Sequence, residues 1–198
     1  MVILHSIDPH DTVDAPLLFR EIDSSGRLVV RDLYRDLSCP TCGKIDERKA
    51  LNKGLPLGIR ITSKRPYLHS REFIKMVDDR GRAIFTDLFG GNIQFFEIPS
   101  SGYWAVRATC PVVPSEGDLG YRFLKKCKNC GRFRDLIFDR TVQRPLLRLG
   151  HDFISLSLES RLGVIDSWYV SQGYAHRLEA VSPPLTGLVV RPKEFSAE

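Results

Sequence analysis

Two cysteine pairs of one pattern constrain this chain more than any other feature: Cys39-Pro40-Thr41-Cys42-Gly43 and Cys127-Lys128-Asn129-Cys130-Gly131. In a zinc knuckle, thiolates at i and i+3 point at one metal, and the next residue often needs a positive φ, which suits glycine. Two pairs with the same trailing glycine predict a four-cysteine site made of Cys39, Cys42, Cys127 and Cys130. The 84 residues between the pairs far exceed the roughly 15–20 of a compact ribbon. A metal held by all four would clip together two remote stretches of chain. Four thiolates leave no open coordination position, so one Zn2+ there would hold the fold and not catalyse.

Three other readings of the pairs stay open on the sequence. They could be unmetallated thiols, separate sites that recruit histidines or Cys110, or, through the proline of the first pair, a thioredoxin-like redox motif. The redox reading needs a βαβ setting and a helix N-terminus that activates a thiol, and neither pair shows one. The fifth cysteine, Cys110, reads as an ordinary buried thiol at a strand end.

With 198 residues, 42% hydrophobic and 27% charged, the chain can build a core without disulfides. No apolar run is long enough to span a bilayer. The first residues lack a basic segment and carry too short an apolar stretch for a signal peptide. A cytoplasmic protein is expected, with no membrane partner, in a compartment where CxxC pairs stay reduced and ready for metal. The net charge of +5 is local in origin. Residues 121–148 hold nine basic residues and two acids, which leaves the remainder at −2.

Fifteen glycines and twelve prolines favour short strands and turns. Residues 16–19 and 27–31 read as two strands joined by Asp23-Ser24-Ser25-Gly26. After the first knuckle, 44–49 reads as a helical turn or a loop, and 57–62 as a strand. Pro66 introduces a helix candidate, with Ser70 as N-cap and Leu68, Phe73, Met76 and Val77 apolar. Beyond an Arg80-Gly81 turn, three runs (83–89, 92–98 and 103–108) predict an antiparallel meander. Residues 110–120 read as loop. The second knuckle lies between strand candidates 121–124 and 133–138, as at the tip of a ribbon hairpin. Strands are predicted at 153–158, 164–170 and 188–190. Between the last two lies a helix with Ser171 as N-cap and Tyr174, Leu178 and Val181 on one face.

The fold expected is α+β: mainly antiparallel strands with two short helices, joined by a zinc-ribbon-like four-cysteine site. We read one domain over 1–198. Segments 70–85 and 171–190 share a pattern of serine-capped helix, glycine turn and strand, so two similar halves, about 39–109 and 127–192, would be bridged by the zinc site.

Nothing in the sequence argues for catalysis or for a small-molecule substrate. The histidines (His5, His10, His69, His151 and His176) have no HxxxH or HExxH spacing, and the H-x-x-E outlines at His69 and His176 read as solvated helix faces. Phosphate-loop, nucleophile-elbow and dinucleotide motifs are lacking. The basic segment has two readings. Lys125, Lys126, Lys128, Arg132 and Arg134, interleaved with Tyr121, Phe123 and Phe133, could meet phosphates while the rings stack on bases. A plain hairpin would instead turn the rings inward and the cations to water. Exposed cations would also suit an acidic protein partner.

The order of these motifs resembles the double-CxxCG family of myxobacteria. The likeness is carried by the two knuckles, the second continuing into Arg132, and by an ending of strand, serine, helix, glycine and strand. That ending runs from Tyr169-Val170-Ser171 to Leu185-Thr186-Gly187-Leu188-Val189-Val190-Arg191-Pro192. The resemblance implies a non-enzymatic immunity protein of the Sit type, which neutralises a cognate polymorphic toxin by direct protein–protein binding. It supplies no motif for the toxin-contacting residues. The alternative from the residues themselves is a zinc-ribbon nucleic-acid-binding protein that uses the basic segment.

Overall fold

In the middle of the chain, side chains alternate between two apolar neighbourhoods, and that alternation organises the fold. The computed structural model describes residues 2–9, 15–111, 121–138, 153–159 and 164–195. Strand β1 (Val2–Pro9) precedes a small hairpin, β2 (Arg20–Ile22) and β3 (Leu28–Val30). A 3-10 turn (Asp32–Leu37), the first knuckle and helix α1 (Glu47–Lys53) follow. Next come β4 (Tyr67–His69), β5 (Lys75–Asp78), helix α2 (Asp79–Phe89), β6 (Ile93–Ile98) and β7 (Tyr103–Ala108). The remaining elements are β8 (Tyr121–Lys126), β9 (Phe133–Phe138), β10 (Phe153–Glu159), β11 (Val164–Val170), helix α3 (Gln172–Glu179) and β12 (Leu188–Phe195). Every pairing of these strands is antiparallel. The class is α+β as expected, with three short α-helices among the described residues where the sequence predicts two.

The central sheet has the order β4-β5-β7-β6. Leu68, Met76, Ala105 and Ile98 face one core with Phe19, Tyr34, Ile45 and Leu51 of the N-terminal segment. Their neighbours Tyr67, Val77, Val106 and Ile93 face a second core with Phe85 and Phe89 of α2, Leu178 of α3 and Trp168 of β11. Period-two alternation in strands buried on both faces produces this division. The second core is closed by a sheet of order β10-β11-β1-β12. Its inner member β1 pairs with β12 from Val2↔Phe195 to Pro9↔Leu188, although the sequence alone offers no strand there.

Three local expectations are corrected. The helix expected from Pro66 through Val77 is the β4–β5 hairpin. Ser70 caps no helix; its Oγ accepts the N–H of Glu72 and of Ile74 and so builds the turn, which passes through Phe73 at φ +66°. Residues 83–89, expected as a strand, belong to α2. Asp78 starts that helix by accepting the Gly81 N–H at 2.7 Å, and Phe85, Leu88 and Phe89 form its buried stripe. Gly81 is required there, because a Cβ would lie 2.7 Å from the Pro66 carbonyl oxygen and 2.9 Å from Val77 Cβ. Residues 57–62 form no strand, although Ile59 and Ile61 still pack on the first core.

The first hairpin forms slightly later than expected. Residues 16–19 stay outside the ladder; the buried Glu72 carboxylate accepts the N–H groups of Leu18 and Phe19 there, and that of Arg20, the first residue of β2. Glu72 is thus no solvated helix-face acid. Segments 70–85 and 171–190 differ in element order: turn, strand and helix in the first, helix, turn and strand in the second. Strand candidates 92–98, 103–108, 153–158 and 164–170 are found nearly as read. Helix α3 follows Ser171, whose side chain makes no capping bond. The loop expected at 112–120 lies outside the described residues, as do His10, Arg140, Arg144, Arg148 and His151. Among the described residues no helix is long and apolar enough to cross a membrane.

Buried polar groups tie the central sheet and α1 to the C-terminal sheet. Asp166 of β11 is ion-paired with Arg107 of β7 at 3.3 Å and accepts the Ser157 hydroxyl at 2.5 Å. Lys75 of β5 donates to the Asp166 carbonyl, and its ammonium lies 5.0 Å from the Trp168 ring centre. Glu47 of α1 accepts the Val164 N–H at 3.0 Å.

Candidate metal centre

Both cysteine pairs sit on one backbone design. In the first, Cys39 N–H donates to the Lys44 carbonyl at 2.8 Å and Gly43 N–H to the Cys39 carbonyl at 2.8 Å. In the second, Cys127 N–H donates to the Arg132 carbonyl at 2.8 Å and Gly131 N–H to the Cys127 carbonyl at 2.9 Å. Gly43 and Gly131 take φ of +69° and +72°, the left-handed region that a side chain would strain. The bases of the loops differ. The first is closed by a bridge between Ser38 and Ile45, the second by the β8–β9 pair Lys126↔Phe133.

The two loops meet. The four sulfurs of Cys39, Cys42, Cys127 and Cys130 all lie within 4.8 Å of one another. Cys39 Sγ is 3.8 Å from Cys127 Sγ, and Cys42 Sγ is 3.5 Å from Cys130 Sγ. These distances are too long for disulfides, whose sulfurs lie about 2.05 Å apart. A tetrahedral ion with bonds of about 2.3 Å to sulfur separates its ligands by about 3.8 Å, so the four side chains fit such an ion.

Electrostatics point the same way. Backbone N–H groups of Cys42 and Thr41 bond the Cys39 sulfur and hold its pKa down to about 6. Those of Cys130 and Asn129 lower Cys127 likewise. Burial, reinforced by the three neighbouring sulfurs, pushes Cys42 up to about 12. Four thiolates this close repel one another, and a divalent cation among them removes the conflict; binding one releases protons. The four cysteines are positioned to bind a metal ion.

Arg132, directly after Gly131, clamps the loops together. Its guanidinium donates to the Ile45 carbonyl at 2.5 Å and lies 3.8 Å from the Asp46 carboxylate, both just beyond the first knuckle. Arg20 adds a 3.4 Å bond to the Gly43 carbonyl. The sequence reads Arg132 as a partner- or nucleic-acid-binding cation and gives Arg20 no role. Only a cation immediately after the knuckle glycine hinted at the clamp.

The other basic candidates point outward. Lys125, Lys126, Lys128 and Arg134 are exposed. Lys125 pairs with Asp135 at 2.9 Å, and the Lys126 ammonium lies 5.6 Å from the Phe133 ring centre. The simple inside–outside alternation of the hairpin breaks at Lys125, whose φ is +56°. Lys125 and Lys126 are exposed in succession, while Phe123 and Phe133 stay half-buried with ring centres 5.1 Å apart. Cys110, expected to be buried, is exposed and takes no part in the cluster. Comparisons of this chain with family models, with curated proteins and with solved structures find no match.

Proposed function

We propose that the four cysteines hold one structural Zn2+ and that the protein is a non-enzymatic binding protein, an immunity factor that masks a cognate toxin. The observation that carries the zinc part is the convergence of two knuckles, 88 positions apart between equivalent cysteines, into a four-sulfur cluster of tetrahedral dimensions. All-thiolate ligation suits a soft divalent ion in a closed site, and a closed site assists folding. The immunity reading draws on the likeness of the knuckles and of the C-terminal order of elements to the double-CxxCG family. In this reading the protein acts in the cytoplasm on a protein partner.

A second reading, nucleic-acid binding, draws on the exposed cations Lys125, Lys126, Lys128 and Arg134 around the second knuckle. One pair of measurements tests both. Metal analysis of the purified protein is expected to give one zinc per chain. Calorimetric titration with the product of a toxin-like gene beside the coding sequence is expected to give tight binding that salt weakens little. No binding to that product, together with retention on bulk DNA or RNA that collapses as salt rises, would favour the second reading.

A further inference from the structure

The four cysteines differ in exposure. Cys127 is buried, whereas Cys130, three residues on, is exposed, and Cys42 is half-buried beside it with its sulfur 3.5 Å away.

We infer that Cys42 and Cys130 are a peroxide-reactive modification site whose oxidation links the two knuckles by a disulfide and expels the metal. The inference rests on the zinc reading above. A peroxide reaching the cluster from solvent meets the Cys130 thiolate first. The sulfur attacks one peroxide oxygen, the O–O bond breaks, and Cys130 becomes a sulfenic acid while the second oxygen leaves as hydroxide. The Cys42 thiolate then attacks the Cys130 sulfur; an S–S bond forms, the S–O bond of the sulfenic acid breaks, and a second hydroxide leaves. Two protons from solvent convert both hydroxides to water. Two thiolates have lost two electrons and the peroxide has gained them. Only Cys39 and Cys127 would then remain as ligands, too few to hold an ion bound there.

The partner of Cys130 decides the consequence. A link within each knuckle would let the loops separate. A Cys42–Cys130 link bridges positions 88 apart, so the two loops stay joined after the metal has gone. Cys127, the in-knuckle alternative for Cys130, is buried, whereas Cys42 is half-buried with its sulfur 3.5 Å from that of Cys130, and is the better placed nucleophile.

The test uses full-length protein carrying Cys110→Ser, which removes the exposed fifth thiol from exchange. Zinc content is measured first, so a metal-free protein overturns the zinc reading whatever follows. Equimolar hydrogen peroxide is then added, zinc release is followed with a chromophoric chelator, and the alkylated, unreduced digest is mapped by mass spectrometry. A Cys42–Cys130 peptide as the first crosslink, formed in step with one zinc released per chain, is expected. A first crosslink of Cys39 to Cys42 or of Cys127 to Cys130, or zinc release with no disulfide, would overturn the inference.

Discussion

The first knuckle runs straight into Ile45, a core side chain, and then into α1, whose Leu51 is buried in the same cluster. The second sits at the tip of the β8–β9 hairpin, none of whose described side chains belongs to either core. Their loops carry the same hydrogen bonds and the same left-handed glycine. Local chemistry is therefore equal, and support is not. A two-stranded hairpin with little apolar burial is marginal alone. The first loop is held by its core, whereas the second is tied to it by Arg132 and, in the proposed reading, by the metal.

The strongest way to break this contrast is to remove the metal. Cys39→Ser or Cys130→Ser, or a strong chelator, is expected to cost more than ~3 kcal/mol, since structural zinc contributes roughly 10–16 kcal/mol to small finger peptides. Hydrogen exchange should then show β8–β9 losing protection before β5 and β7. Equal loss across both sheets would end the distinction.

Substituting Ile45→Ala attacks the other support. Loss of a buried branched side chain costs about 2–5 kcal/mol, whereas Phe133→Ala, at a half-buried position, should cost clearly less in denaturant melts.

Glu47 sharpens the picture through pH. Burial, reinforced by Asp166 and Glu72 and partly offset by Arg107 and the Val164 N–H, pushes its carboxyl up to about 8. The unfolded chain gives up that proton near its ordinary 4.5, while the folded chain keeps it. Folding stability should therefore decline as pH rises from about 4.5 to about 8, by an amount on the order of a few kcal/mol, and level off above. Glu47→Gln keeps an oxygen for the Val164 N–H and should flatten the decline, measured as denaturation midpoint against pH.

Arg132→Ala should cost about 1–3 kcal/mol and weaken zinc retention, with Lys a poor substitute because the guanidinium reaches a carbonyl and a carboxylate together. Competition with a chelator reads this directly. The smallest effect is expected from Cys110→Ser, within about 0.5 kcal/mol, because the thiol is exposed and outside the cluster.

The four-cysteine cluster was legible in the sequence because its parts are local: a CxxCG loop dictates its own turn, and two copies in one chain point to a shared site. Strands such as β6, β7, β10 and β11 were legible for a related reason, since glycine, proline and alternating side chains mark them without reference to partners. Where those signals were ambiguous, distant neighbours decided. Leu68, Phe73, Met76 and Val77 suit a helix face as well as a hairpin, and the two cores on either side of β4 and β5 favour the hairpin. The run 83–89 reads as a strand until Asp78 caps it and Phe85, Leu88 and Phe89 find Trp168 and Leu178.

By itself, then, the amino-acid order determined the two knuckles, the antiparallel character of the fold and the concentration of positive charge around the second pair. Tertiary structure alone decided that β1 lies inside the last sheet, that Glu47 and Glu72 are buried acids, and that Arg132 is a clamp rather than a free cation. The physical reason is one of range. Turn and ligand geometry act over four or five residues, whereas burial and ion pairing depend on groups that only folding brings together.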